Sequence, residues 1–416
     1  MLDKFEEFDC SSETITNYEL YLKPKGIYKF KELICDNYLY PVYKTNISNE
    51  TYYSTSVYAL IVKRKKFIRN PNFQTTDFYR PTFQTIDKQV ERVRTISMTS
   101  DKSLDDPNEI IVKSAEIFQE YITEIENKFS GYKHLLLMGG KDSQNYLLAD
   151  RKEKWIVISG EPNGSLNKEF IRKNDIKNVE EIIILDDKSD DSMLKEELIA
   201  SDCFFDMGHF KYIPKIHEIT KRFNQKVVVW YGAGGDGKFK YCTNHRFPDF
   251  YEVHDLHVGM SMGILHQLTK NISNVPVLSI YQCSKFLREV FYKFDPYYVK
   301  NLKSDIRIDI GKILFSNNVP IYPETNPHPS DWSSKKRNRY KSIDRYIDIL
   351  EKENIKVSKK IVKSTYNKYL ELIPFILNKY SSKKRSTISK LLVPIRIFLS
   401  KYFKIFKINR YKLKEI

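Results

Sequence analysis

His134-Leu135-Leu136-Leu137-Met138-Gly139-Gly140-Lys141-Asp142-Ser143-Gln144-Asn145-Tyr146-Leu147-Leu148 decides how this chain reads. Apolar residues run straight into two glycines and an Asp-Ser pair, and apolar positions then recur at helical spacing. The pattern predicts a buried strand, a tight loop and a helix N-terminus. Such a junction leaves backbone N–H groups without partners, and the helix dipole adds partial positive charge, so it suits a phosphate. Glycines let the backbone approach the anion, and Ser143 can donate a hydroxyl. Asp142 repels a phosphate on its own, so its presence implies Mg²⁺ between carboxylate and phosphates. The Walker spacing G-x-x-x-x-G-K-[ST] is absent.

Strands and helices alternate outward from this stretch. An amphipathic packing helix over 105–130 leads in, through Ile110, Ile117, Phe118, Tyr121 and Ile125. A second buried strand, Trp155–Gly160, is followed by a helix containing Asn167, Glu169 and Phe170, then by a third strand at Ile182–Leu185. This alternation predicts a parallel α/β sheet with right-handed crossovers. Ligands of such sheets lie beyond the carboxyl ends of the strands, where strand order reverses. Gly139-Gly140 and Ser159-Gly160 both stand at strand ends, although Ser159-Gly160 reads equally well as a plain turn. A fourth buried strand, Val227–Tyr231, runs into Gly232-Ala233-Gly234-Gly235-Asp236-Gly237-Lys238-Phe239. Two acid-bearing glycine turns on neighbouring strands can hold one Mg²⁺–pyrophosphate unit from both sides.

Met138-Gly139-Gly140-Lys141-Asp142-Ser143 resembles the PP-loop, S-G-G-x-D-S, of the ATP pyrophosphatases: asparagine synthetases, sulfate-activation enzymes and tRNA-modifying adenylating enzymes. Met138 stands where the leading Ser would be. The second turn resembles the asparagine synthetase signature S-G-E-G-A-D-E-L-F, matching it at Gly232, Gly234, Asp236 and Phe239. Two fainter likenesses lie further along the chain. Asn274-Val275-Pro276-Val277-Leu278-Ser279 resembles R-V-P-F-L-D, and Gly311-Lys312-Ile313-Leu314 with Val319-Pro320 resembles K-x-x-L-R … L-P.

The resemblance implies a PP-loop (HUP-like, Rossmann-like) synthetase domain that binds ATP and Mg²⁺. Gly139, Gly140 and Ser143 would hold phosphates, Ile158, Ser159 and Gly160 would meet the adenine, and Gly232 and Gly234 would close the second side. Asp142 and Asp236 would hold the metal. Lys335 or Lys336 would stabilise charge on the leaving pyrophosphate, unless that stretch is a solvated basic loop. The implied reaction is an AMP-forming ligation, in which a small-molecule or peptide carboxylate is adenylated and passed to an amine. Three departures weaken the amide-forming half. Ala233 replaces the family acid proposed as general base, Gly237 replaces the second acid, and Ser279 replaces the Asp. An alanine neither accepts a proton nor orients an amine. The alternative is therefore a non-catalytic or divergent nucleotide-binding protein of a surface-polysaccharide or modified-peptide pathway.

Three domains are expected: a strand-rich accessory unit over 1–105, a synthetase-like unit over 106–345, and a helical basic segment over 346–416. In the first, Tyr52–Val62 reads as a strand that breaks at Lys63-Arg64-Lys65-Lys66. Asparagine synthetases carry a glutaminase there, whose nucleophile is a Cys at position 2. This chain has Leu2, and Cys10 lacks the free amine that would activate it, so glutamine hydrolysis is not expected. β-Lactam synthetases and lasso-peptide cyclases are relatives that work without glutamine.

Composition sets the outer bounds. With 41% hydrophobic residues the 416-residue chain folds and is not disordered. Its five cysteines are odd in number and scattered, which points to reduced thiols and a cytoplasmic location. No signal peptide or uninterrupted apolar span is read. Five histidines (134, 209, 217, 254 and 257) read as packing or surface residues rather than metal ligands. The formal charge of +16 suggests an acidic partner. Much of it lies in Ser381–Ile416, with eleven Lys/Arg against one acid, Glu415. That basic amphipathic stretch either packs its apolar face on the protein or lies on an anionic membrane surface, making the chain peripheral to it. No recognisable module supports nucleic-acid binding.

Overall fold

The computed structural model describes residues 5–70, 73, 85–94, 103–104, 106–186, 192–203, 212–235, 239, 262–293, 305–316, 318–323 and 340–358. The basic stretch 381–416 lies outside these residues.

The N-terminal unit is strand-rich, as its composition suggests. It comprises β1 (Glu7–Thr16), β2 (Ile27–Ile34), β3 (Tyr43–Ile47), β4 (Glu50–Ser54), β5 (Lys66–Ile68) and β6 (Glu91–Arg92). Five of them form a sheet of order β1-β2-β4-β3-β6. The β1–β2 pair is parallel and the other pairs are antiparallel. The expected single strand over Tyr52–Val62 is corrected: it divides into β4 and a helix, Val57–Arg64. Ser56 caps that helix, its hydroxyl accepting from the Ala59 N–H at 3.3 Å. Val57 to Ile61 are all buried, so their packing overrides their strand propensity.

The second unit holds a five-stranded sheet of β7 (Lys133–Leu137), β8 (Trp155–Gly160), β9 (Val179–Leu185), β10 (Val227–Tyr231) and β11 (Val277–Leu278). Its order is β11-β10-β7-β8-β9 and every pairing is parallel. Numbered along the chain, that is the doubly wound order 3-2-1-4-5, which reverses direction between β7 and β10. Both strands there are apolar on both faces, as a sheet covered on two sides requires. The two faces are lined differently. Trp230 stacks 5.0 Å from Trp155 and meets Tyr146 edge-on, while Tyr231 stacks 4.8 Å from His266. Successive residues of a strand point to opposite faces, so the 141–148 helix lies on one side and the 262–273 helix on the other.

The two units share a core. Tyr18, Leu20, Tyr21, Leu39 and Tyr40 belong to one apolar cluster with Leu136, Trp230 and Tyr281. A second cluster joins Val57, Leu60 and Phe67 to Tyr346 and Leu350 of the helix Tyr340–Lys352. After that helix, β12 (Lys356–Ser358) pairs in parallel with β5. The boundary expected at 345 thus falls inside a helix, and residues 340–358 return to the N-terminal unit.

His134 packs as expected. It is fully buried, stacks on Trp155 and accepts from Trp230 Nε1 at 2.9 Å, and burial lowers it to about 4. His217 is also buried; positions 209, 254 and 257 lie outside the described residues. Cys10, Cys35 and Cys283 are free thiols. Among the described residues no helix is long and apolar enough to cross a membrane.

Candidate functional site

The sheet brings the two glycine loops together. Tyr231 and Leu137, the last residues of β10 and β7, are register partners. The loops after them therefore leave the sheet side by side. A Cβ on Gly232 would sit 2.6 Å from the Ser143 backbone nitrogen, and one on Gly235 would sit 2.8 Å from Asp142 Oδ1. Gly234 has φ +100°, a conformation that favours glycine, and it backs onto Gln282. Asp236, the next residue but one, lies outside the described residues, as do Gly237, Lys335 and Lys336. Ala233 is fixed by Ser279, whose hydroxyl donates to its carbonyl at 2.7 Å.

The first loop is knitted by side chains. Gly140 is the N-cap of the helix Lys141–Leu148. The Ser143 hydroxyl accepts from the Gly139 and Gly140 N–H groups at 2.9 and 3.2 Å and donates to the Gly140 carbonyl at 2.9 Å. Ser143 is thus turned into the loop, so an anion reaching those two amides would displace its hydroxyl. At any helix start the first-turn N–H groups are left over by the helical hydrogen-bond pattern, and here they stand beside the two glycines. Gly139 is exposed and a Cβ there would meet nothing within 4 Å, which leaves the approach to the loop open.

Ser159 and Gly160 are buried at the end of β8. The Ser159 hydroxyl donates to the Met138 carbonyl at 2.7 Å and accepts from Asn167 Nδ2 at 2.8 Å. Asn167 also donates to the Met138 carbonyl at 3.1 Å and accepts from Gln144 at 2.9 Å. The Ser159 hydroxyl is therefore engaged with the strand end that leads into the loop and with Asn167. Asn167, read in the sequence only as part of a helix, is its partner in this.

Sequence reasoning missed the charged group in front of the loop. Arg307, 5% exposed, grips Asp305 with Nε and Nη2, each at 2.8 Å, and donates from Nη1 to Asp142 Oδ1 at 3.0 Å. Lys141 Nζ lies 3.4 Å from Asp305 Oδ2. Burial alone would raise the Asp305 carboxyl, but the Arg307 hydrogen bonds and charge, with Lys141, hold it below the usual carboxylate range. Asp305 also caps the helix Ile306–Leu314, accepting from the Arg307 N–H at 3.2 Å. Asn145 fixes the same turn, donating to the Arg307 carbonyl at 2.8 Å and accepting from Tyr322 at 2.6 Å. Tyr281 completes the wall, its hydroxyl donating to the Asp142 carbonyl at 3.3 Å. The signal in the sequence was Asp305-Ile306-Arg307: Asp is an ordinary helix cap, but a cation two residues on that faces inward from an apolar helix is unusual unless paired.

Two cations, two acids and a run of backbone N–H groups thus converge beside an open loop. The set suits an anionic chain with a charge-balanced anchor. Among the described residues no three His, Cys, Asp or Glu side chains cluster to hold a metal by themselves. Mg²⁺, however, is commonly held by one or two carboxylates plus substrate phosphates, and Asp142 beside the open loop fits that manner of binding. No family model matches the chain, and no curated protein is significantly similar to it.

Proposed function

We propose that the two loops form one ATP site of the PP-loop type, and that the chain is an AMP-forming ligase. It would adenylate a carboxylate and pass the acyl group to an amine. The observation that carries this reading is the contact of Gly232 and Gly235 with Ser143 and Asp142, at the reversal point of a 3-2-1-4-5 parallel sheet. In open parallel sheets the crevice at that reversal point, beyond the carboxyl ends of the strands, is where ligands bind.

In this reading the N–H groups at Gly139, Gly140 and the first helical turn hold phosphate oxygens. Lys141 and Arg307 add positive charge, and Asp142, with Asp236, would hold Mg²⁺, which when bound offsets phosphate charge. Catalysis then rests on positioning and on charge stabilisation at the leaving group. In this reading glutamine is not the nitrogen source, and burial and the neighbouring Glu13 raise the Cys10 thiol rather than lowering it towards thiolate. Free ammonia or a substrate amine takes that place.

A second reading, nucleotide binding without turnover, is favoured by two observations. Arg307 already neutralises Asp142, and Ala233 stands where an acid would work. Incubation with ATP, Mg²⁺ and a panel of carboxylates, with and without amines, separates the two. The ligase releases AMP and pyrophosphate in equal amounts. Tight ATP binding with no release supports the second reading, and ADP with phosphate contradicts both.

A further inference from the structure

Arg307 is the least expected residue of this corner. A guanidinium at 5% exposure is costly to bury unless its donors are engaged, and here they are shared between two carboxylates. The sharing is unequal. Asp305 takes the planar fork through two nitrogens, an arrangement that fixes the guanidinium plane. Asp142 takes a single hydrogen bond from Nη1, on the side facing the first loop. Exposure does not separate the two acids, with 20% of the Asp305 and 14% of the Asp142 side-chain surface accessible; the number of bonds to the guanidinium does. One partner is an anchor and the other is exchangeable. Lys141, whose Nζ reaches the same Asp305, sets a second cation on the other side of that acid.

We propose that Arg307 binds the phosphate chain of the ligand, with Asp305 as its positioning residue and Asp142 as the carboxylate it exchanges for phosphate oxygen. The proposal rests on the nucleotide reading above and deepens it by naming the class of ligand: a chain of two or more phosphates. A single phosphate is served by the loop amides alone. A chain extending from the loop meets Arg307 and Lys141 next. On binding, Nη1 turns from Asp142 to phosphate, and the freed Asp142 carboxylate would be available to hold a cation that offsets phosphate charge. The Asp305 fork does not move.

The test compares ATP, adenosine and inorganic tripolyphosphate as ligands by calorimetric titration, in the full chain and in R307K, R307Q, D305N and D305E. Arg307→Lys keeps the charge but loses the fork, so ATP and tripolyphosphate should bind at least about tenfold more weakly while adenosine is unchanged. Arg307→Gln should weaken both polyphosphates further. Asp305→Asn should move the same two ligands in the same direction, and Asp305→Glu should restore part of the loss. Variants that bind ATP as the native chain does would overturn the proposal and leave the nucleotide reading standing. Equal loss of adenosine and ATP, with a lowered melting temperature, would make Arg307 a structural residue and also overturn it. A native chain that binds neither ATP nor tripolyphosphate would bring down the nucleotide reading itself.

Discussion

Gly139 and Gly232 show at the residue scale how one amino-acid type serves two ends. Gly232 is glycine because Ser143 lies against it: a Cβ would stand 2.6 Å from a backbone nitrogen that cannot swing aside. Gly139 has open space around it, so its lack of a side chain serves whatever approaches from outside. The two substitutions should therefore behave in opposite ways. Gly232→Ala should destabilise the fold by roughly 1–3 kcal/mol, as overpacking does, and weaken ATP binding with it. Gly139→Ala should change stability by no more than the usual surface scatter of about 0.5 kcal/mol yet still weaken ATP binding. Thermal melts beside ATP titrations check both; a destabilised Gly139→Ala or an unaffected Gly232→Ala would contradict the assignment. Gly139, Gly140 and Gly232 were legible in the sequence because a glycine after a buried strand has few uses. Arg307 was not, because its role depends on Asp142, and nothing local in the chain joins 142 to 307.

Among the elements, four strands of the parallel sheet could be read directly, since long apolar runs leave little choice of period, whereas the two-residue β11 and the 262–273 helix were not read. The Val57–Arg64 helix could not be read either, because its Val-Tyr-Ala-Leu-Ile-Val run is buried throughout, and burial hides the difference between period 2 and period 3.6. The 262–273 helix lies on β10 through His266, which sits between Tyr40 and Tyr231. Neither His266 ring nitrogen has a hydrogen-bond partner among the described residues, and burial lowers the residue to about 3. His134 beside Trp230 is lowered to about 4 by the same cause, assisted by Lys133 and Arg151. Both rings are neutral in the fold and gain a proton in the unfolded chain below its ordinary value near 6.5. Folded values that lie below unfolded ones give stability that is complete above pH 6.5 and falls as pH drops towards 4 and 3. The slope for each ring is up to about 1.4 kcal/mol per pH unit. His266→Phe keeps the stacking surface and removes the titration, so its melting temperature should fall less steeply between pH 6.5 and 4 than that of the native chain. Parallel curves would refute the assignment.

As a whole molecule, the chain is less divisible than its sequence suggests. Composition separates 1–105 from the remainder of the chain, but Tyr18, Tyr21 and Tyr40 pack into the core that also holds Trp230 and Tyr281. Tyr40 reaches the site itself: its hydroxyl accepts from the Ser279 N–H at 2.9 Å, and Ser279 in turn fixes Ala233. Domain boundaries drawn from composition miss this, because contacts between distant segments leave no periodic trace. Removal of 1–105 should therefore expose a large apolar surface and give an insoluble or unfolded remainder, while the intact chain melts in a single transition. A soluble 106–416 fragment with native ATP affinity would show the units to be independent.

At the centre stands the proposal that Gly139–Ser143 and Gly232–Gly235 are two sides of one phosphate site. A crystal structure of the chain with Mg²⁺ and α,β-methylene ATP tests it most directly, because that analogue resists cleavage between the α- and β-phosphates. The phosphate chain should lie in the corner between the two loops, with Arg307 Nη1 on a phosphate oxygen and its fork still on Asp305. Nucleotide bound elsewhere, or a corner unchanged with Arg307 still on Asp142, would contradict it.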